Sequence, residues 1–211
     1  AGDTKVVEKG GADKIFLTTS GIGTIDPGVD ISSKNAQVGD RIILSGTIGD
    51  HGIAILSARE NLNFRTKVKS DSQPLNGIVS EILKVSKKVH TLRDPTRGGL
   101  ATTLNEIAEQ SKVGIEIEEN KIPIKEEVKG VCEMLGLDPL YIANEGKLVA
   151  FVPEKDCEKI LNVLRKNRYG KDANVIGRVV SQHKGRVVVK TSVGGERVLD
   201  MLTGEQLPRI C

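Results

Sequence analysis

Four places in this sequence set chemically able side chains where a turn or a chain end would present them. Gly2-Asp3-Thr4-Lys5 puts an acid, a hydroxyl and an ammonium behind a glycine. A glycine lets backbone N–H groups approach a phosphate, Asp3 could hold Mg2+, and Lys5 could neutralise phosphate charge. The same residues also make an ordinary turn, and they lack the GxxxxGK[ST] pattern of a Walker loop. Asp94-Pro95-Thr96-Arg97-Gly98-Gly99 opens a helical pattern. There Asp94 or Thr96 would cap the helix, and Arg97 either clamps an oxyanion at the positive helix end or is a surface arginine. Ala143-Asn144-Glu145-Gly146 precedes a strand, so Glu145 reads as a general base or metal ligand, or as part of a hairpin-type turn. The last residue is Cys211, after Pro208-Arg209-Ile210. Pro208 stiffens the approach and Arg209 favours the thiolate, the nucleophilic form. The alternative is a frayed terminus that happens to end in cysteine.

The remaining cysteines offer no such chemistry. Cys132 shares a helical face with Val128, Val131 and Leu135, and Cys157 with Ile160, Leu161 and Leu164. Both read as small core hydrophobes. Three cysteines without a CxxC pair argue against a disulfide framework and a cysteine-rich zinc site. His51, His90 and His183 share no ligand spacing, and only His51, after a glycine-rich strand exit, is placed near a site. The net charge is +3, with both signs interleaved, and aromatic residues make up 2% of the chain. That leaves neither a basic stripe nor stacking platforms for nucleic acid. No apolar run approaches the ~18 residues of a membrane helix, and no signal-peptide pattern opens the chain. A cytoplasmic protein is expected.

The elements that must position these residues follow from periodicity. Short strands are expected at Lys5–Glu8 and Lys14–Thr19, looking like the last piece of a sheet begun upstream. A strand Ile42–Leu44 leads through Ser45-Gly46-Thr47-Ile48-Gly49-Asp50-His51-Gly52 into a helix from Ile53 to about Asn61. Residues 63–74 read as a polar loop. Helices follow over about Leu75–Val89, from Gly98-Gly99 to about Ser111, over about Lys125–Leu135 and over Glu154–Lys166. Strands are expected at Val113–Glu118, Lys147–Val152, Asn174–Val180, Arg186–Lys190 and Glu196–Leu199. The mixed order predicts an α+β fold, one mixed sheet layered with helices rather than a strict doubly wound fold. The domain boundaries expected are 1–30 as the end of an upstream domain, 31–200 as a layered domain, and 201–211 as a flexible tail.

Taken together, GDTKVV, TSGIG, VGDRIILSGTIGDHGIAIL, DPTRGGLATTLNEIA, ANEG and the terminal PRIC resemble the HypE-type [NiFe]-hydrogenase maturation proteins. These sit within a wider family of ATP-using enzymes that includes aminoimidazole ribonucleotide synthetase and selenophosphate synthetase. DPTRGG, ANEG and a terminal PRIC are specific in combination; the glycine turns are shared by the wider family. The resemblance implies that Cys211 accepts a carbamoyl group from the carbamoyltransferase HypF. An ATP-dependent dehydration then yields a thiocyanate, whose cyano group passes through HypC–HypD to become the cyanide ligand of the hydrogenase iron. It implies that Lys5 contacts the ATP phosphates, with Asp3 and Thr4 near the nucleotide or Mg2+, and that Glu145 removes nitrogen protons. Asp50, His51, Asp94, Thr96 and Arg97 would line the channel taken by the tail. The family carries about one domain's worth of residues before GDTKVV, including most of the ATP-binding half, and forms homodimers. This chain alone is therefore expected to bind ATP poorly and to be inactive. A non-catalytic carrier or docking module, or another small-molecule synthetase of the wider family, are the alternatives.

Overall fold

The apolar residues of the central strands alternate between two helix layers, and that alternation sets the architecture. In the computed structural model, residues 20–59 and 68–202 are described. Seven strands form one sheet: β1 (Arg41–Leu44), β2 (Thr91–Arg93), β3 (Gly114–Glu118), β4 (Val149–Val152), β5 (Asn174–Val180), β6 (Val187–Lys190) and β7 (Glu196–Leu199). Their order is β2-β4-β1-β5-β3-β6-β7. The β3–β6 pair is parallel and the other neighbours are antiparallel. The helices are α1 (Asp50–Arg59), α2 (Asn76–Val85), α3 (Gly99–Ser111), α4 (Glu126–Leu135) and α5 (Glu154–Lys166). This is the mixed α+β sheet expected from the element order.

Successive side chains on a strand point to opposite faces. Ile42, Leu44, Val149 and Phe151 therefore join Leu100, Leu104 and Ile107 of α3 in one core. Ile43, Ala150 and Val152 join Ile78 and Ile82 of α2 and Ile160 and Leu164 of α5 in a second core on the other face. Helix spacing supplies the complementary stripes, since residues three and four apart share a face. In β5 the pairing with β1 shifts register between Ile42 and Ile43. This irregularity lets Ile176 and Val179, three apart, both reach the α3 side. A third cluster joins Ile53 of α1 to Val128, Val131 and Cys132 of α4, with Ile142 between them.

Most element expectations hold, and the differences have local causes. The strands expected at Lys5–Glu8 and Lys14–Thr19 lie outside the described residues, as does the tail from 203 onward. α1 begins at Asp50, three residues before Ile53. α2 ends at Val85 because Ser86 turns extended and gives its hydroxyl to Asp156 at 2.5 Å. That releases Val89 to enter the core outside the helix. β2 is a strand that the sequence pattern did not reveal: three residues before Asp94-Pro95 are too few to show a period. Cys132 and Cys157 are buried as expected. Burial pushes the Cys132 thiol up to about 11, with Asp138 and Glu133 adding to the rise, and burial also raises Cys157.

Candidate functional site

The exits of β1, β2 and the approach to β4 meet at one buried asparagine. Asn144 is fully buried. Its Oδ1 accepts the Gly49 N–H at 2.8 Å, while Nδ2 donates to the carbonyls of Pro95 at 3.0 Å and Ile142 at 2.9 Å. One amide thus ties the turn before α1, the turn before α3 and its own loop. An asparagine in a turn-like sequence reads as a turn former, so nothing in the spacing singled it out.

Beside this clasp stand three acidic side chains. Asp50, at the start of α1, is 1% exposed. Its Oδ2 accepts the Thr47 hydroxyl at 2.6 Å and pairs with Lys125 Nζ at 3.0 Å. Among the described residues no donor reaches Asp50 Oδ1. Asp71 is buried; its Oδ1 accepts the Glu145 N–H at 3.2 Å, and its Oδ2 stands 3.6 Å from Lys147 Nζ without a hydrogen bond. Glu145 itself keeps a buried Oε1 that no donor reaches among the described residues. Gln73 donates to the Gly146 carbonyl at 2.6 Å. The approach is so close that a Cβ on Gly146 would lie 1.8 Å from the Asp71 carbonyl oxygen. Asp71 and Gln73 fall in the stretch read from sequence as a polar loop; their role emerges only from the pairing of that stretch with the Glu145 turn.

A cavity of about 250 Å3 opens here, lined by Thr47, Asp50, Asp71, Lys125 and Lys147, with Lys69 and Lys171 among its outer residues. Arg168, stacked 4.3 Å over the Tyr169 ring and donating to its hydroxyl, forms part of the wall. Of the expected channel residues, Asp50 lines this cavity. His51 is buried one residue away, its Nδ1 2.8 Å from the hydroxyl of Ser70, which does line it. Asp94 and Arg97 are exposed and Thr96 half-buried, and none of the three is among the lining residues. The expected cap is also corrected. The residue before α3 is Gly98, in a left-handed conformation at φ 69°, and neither Asp94 nor Thr96 caps the helix. Gly99 follows at φ 61°, and a Cβ there would sit 2.6 Å from the Leu140 and Ile142 carbonyl oxygens. The two glycines fold the chain tightly against the Asn144 loop, and the helix opens on a backbone turn in which the Gly99 N–H donates to the Thr96 carbonyl at 3.0 Å. Asp3, Thr4, Lys5 and Cys211 lie outside the described residues.

Residues 37–190 match the family model described as AIR synthase related protein, C-terminal domain. The chain belongs to that family. It is 52% identical over 210 residues to the carbamoyl dehydratase HypE of Azotobacter vinelandii, covering all of this chain and 62% of that protein. Among solved structures it is similar to a hydrogenase maturation protein HypE in complex with ATP, with a TM-score of 0.82 and 50% identity over 86% of this chain and 55% of that one. It is likewise similar to the chain in a HypE–HypF complex, with a TM-score of 0.79 and 46% identity over 82% of this chain and 56% of that one. The resemblance carried by the glycine turns, ANEG and PRIC is thus to the relatives that the whole chain matches. This chain spans about three fifths of the length of those relatives.

Proposed function

We propose that this chain is the C-terminal portion of a carbamoyl dehydratase of hydrogenase maturation, with Cys211 as the carrier of the group that is dehydrated. In this reading HypF delivers a carbamoyl group to the thiol. ATP then phosphorylates the carboxamide oxygen, releasing ADP and one nitrogen proton. Loss of the second nitrogen proton expels phosphate and leaves a thiocyanate on sulfur. The cyano group passes to HypC–HypD. Support comes from the 52% identity to a carbamoyl dehydratase, from the relative solved with ATP and from the relative solved with HypF.

The observation that carries the reading is the setting of Glu145. Its backbone is fixed by Asp71, and its buried Oε1 lacks a donor among the described residues. An unpaired carboxylate oxygen is an acceptor for a carboxamide N–H and a base for its proton. Lys5, Asp3 and Thr4 would meet the nucleotide phosphates. Asp3 is the residue proposed to hold Mg2+; among the described residues no three His, Cys, Asp or Glu side chains gather as metal ligands. A homodimer in the cytoplasm is the expected setting; among the described residues no helix is long and apolar enough to cross a membrane.

Mass spectrometry on this chain joined to the N-terminal portion of its relatives, with HypF, carbamoyl phosphate and ATP, tests the proposal. Carbamoyl addition at Cys211 followed by ATP-dependent loss of one water is expected. Addition without water loss would replace the enzyme with a carrier, and no addition at Cys211 would reject both.

A further inference from the structure

We infer that the cavity binds a small, free carboxamide phosphate of the carbamoyl phosphate class, its NH2 on the donorless oxygens of Asp50 and Asp71 and its phosphate among the outer basic side chains. The inference goes beyond the dehydratase reading and uses neither the thiol nor the nucleotide. Asp50 Oδ1 and Asp71 Oδ2 belong to side chains 1% and 3% exposed, both residues line the cavity, and neither oxygen has a donor among the described residues. Buried acceptors are nearly always paired, so two on one cavity point to a ligand that brings donors. What these oxygens lack is a donor and not a counter-charge. Lys125 Nζ lies 3.0 Å from Asp50 Oδ2, and Lys147 Nζ lies 3.6 Å from Asp71 Oδ2. An ammonium or metal ligand would crowd a further cation against these two lysines, and like charges that close repel. A carboxamide NH2 brings two N–H donors and no charge, and a bond to an ionised acceptor is about twice as strong as one between neutral groups.

The rest of the lining selects the ligand's other end. It holds five basic side chains and three carboxylates, Asp172 being the third, an excess of two positive charges. With Asp50 and Asp71 balanced by Lys125 and Lys147, that excess falls on Lys69, Arg168 and Lys171, all three exposed. A phosphate dianion carries the matching charge and the acceptor oxygens that ammonium and guanidinium groups bind best. Arg168 is the fixed member of the three. Its guanidinium stacks 4.3 Å over the Tyr169 ring and donates to the Tyr169 hydroxyl, which holds a forked donor at the wall. Volume sets the size of the ligand. At about 250 Å3 the cavity falls below the ~300–1,000 Å3 of pockets that take drug-sized molecules, which suits a small metabolite rather than a whole nucleotide. A neutral donor at the buried end and a dianion at the open end are the two halves of a carboxamide phosphate.

Calorimetric titration of this chain with phosphonoacetamide, a stable analogue of carbamoyl phosphate, tests the site. The control ligand is (2-oxopropyl)phosphonate, which carries a methyl group in place of the NH2. Phosphonoacetamide is expected to bind about tenfold tighter than this control. Asp50→Asn and Asp71→Asn each put an N–H donor where the donorless acceptor stands, so each should erase most of that preference. Lys69→Gln combined with Lys171→Gln should weaken both phosphonates about tenfold and leave their ratio unchanged. Absent or equal binding of the two phosphonates to the wild-type chain overturns the inference, as does a preference that survives both aspartate variants. Inorganic phosphate binding as tightly as phosphonoacetamide would leave a bare anion site, and 2-aminoethylphosphonate binding as tightly would replace the carboxamide with an ammonium; either result also overturns it. The wild-type comparison decides the matter even where an aspartate variant does not fold. No arm of the test uses Cys211, so the dehydratase reading can fail with this site intact, and the site can fail with that reading intact.

Discussion

Glu145 and Asn144 are adjacent, yet their substitutions should fail in different ways. Glu145→Gln keeps the shape and the backbone bond to Asp71 while removing the base. Carbamoyl addition at Cys211 should persist, and water loss should slow by about 10²–10⁴-fold, the usual contribution of a positioned general base. Asn144→Ala instead strands the Gly49 N–H and the Ile142 carbonyl in a buried setting. It should destabilise the protein by about 1–3 kcal/mol, read by denaturant unfolding. Asn144→Asp should be worse than its size suggests. It keeps an acceptor for Gly49 but turns a carboxylate oxygen toward the carbonyls of Pro95 and Ile142.

At the scale of the elements, Leu104 on α3 is fully buried in the core against β1 and β4. Leu104→Ala should cost about 2–5 kcal/mol of unfolding free energy. The sequence announced this helix by the spacing of Leu100, Leu104 and Ile107, and α5 by its stripe of Cys157, Ile160 and Leu164. Strong periodicity made both legible, and the limits of α5 agree with expectation. The site was less legible. Asp50 and Glu145 stood out as acids next to glycines, but Asp71 and Asn144 did not. Their roles depend on contacts to residues 74 and 95 positions away in sequence, which no local pattern records. DPTRGG was read as a side-chain-capped helix start. The two left-handed glycines instead serve a close backbone approach to Leu140 and Ile142, which a one-dimensional reading does not contain.

Across the whole molecule, acid should loosen the sheet and the α2–α5 layer together. The Ser86 hydroxyl, with Lys159, outweighs burial and holds the Asp156 carboxyl below its ordinary value of 3.8. Burial alone would raise Glu116, but hydrogen bonds from Lys190 and Arg178 outweigh it and lower that carboxyl too. Glu116 thereby stitches β3 to β5 and β6. Carboxyls depressed in the folded state stabilise it above their unfolded values and lose that contribution as pH falls through the folded ones. The melting temperature should therefore drop as pH falls below about 4. Asp156→Asn should show a lower starting value and a shallower drop.

The bond from Tyr141 to the Asp200 carbonyl has a kinetic meaning under the carrier reading. A thiol eleven residues along the chain from that anchor would meet the site at an effective concentration on the millimolar scale. Each chain then works on its own cargo, and the dehydration step is first order, with a rate constant unchanged by dilution. A free thiocarbamate would need to approach that same concentration to compete. Tyr141→Phe, which frees the leash at its root, should lower that threshold while leaving the fold intact.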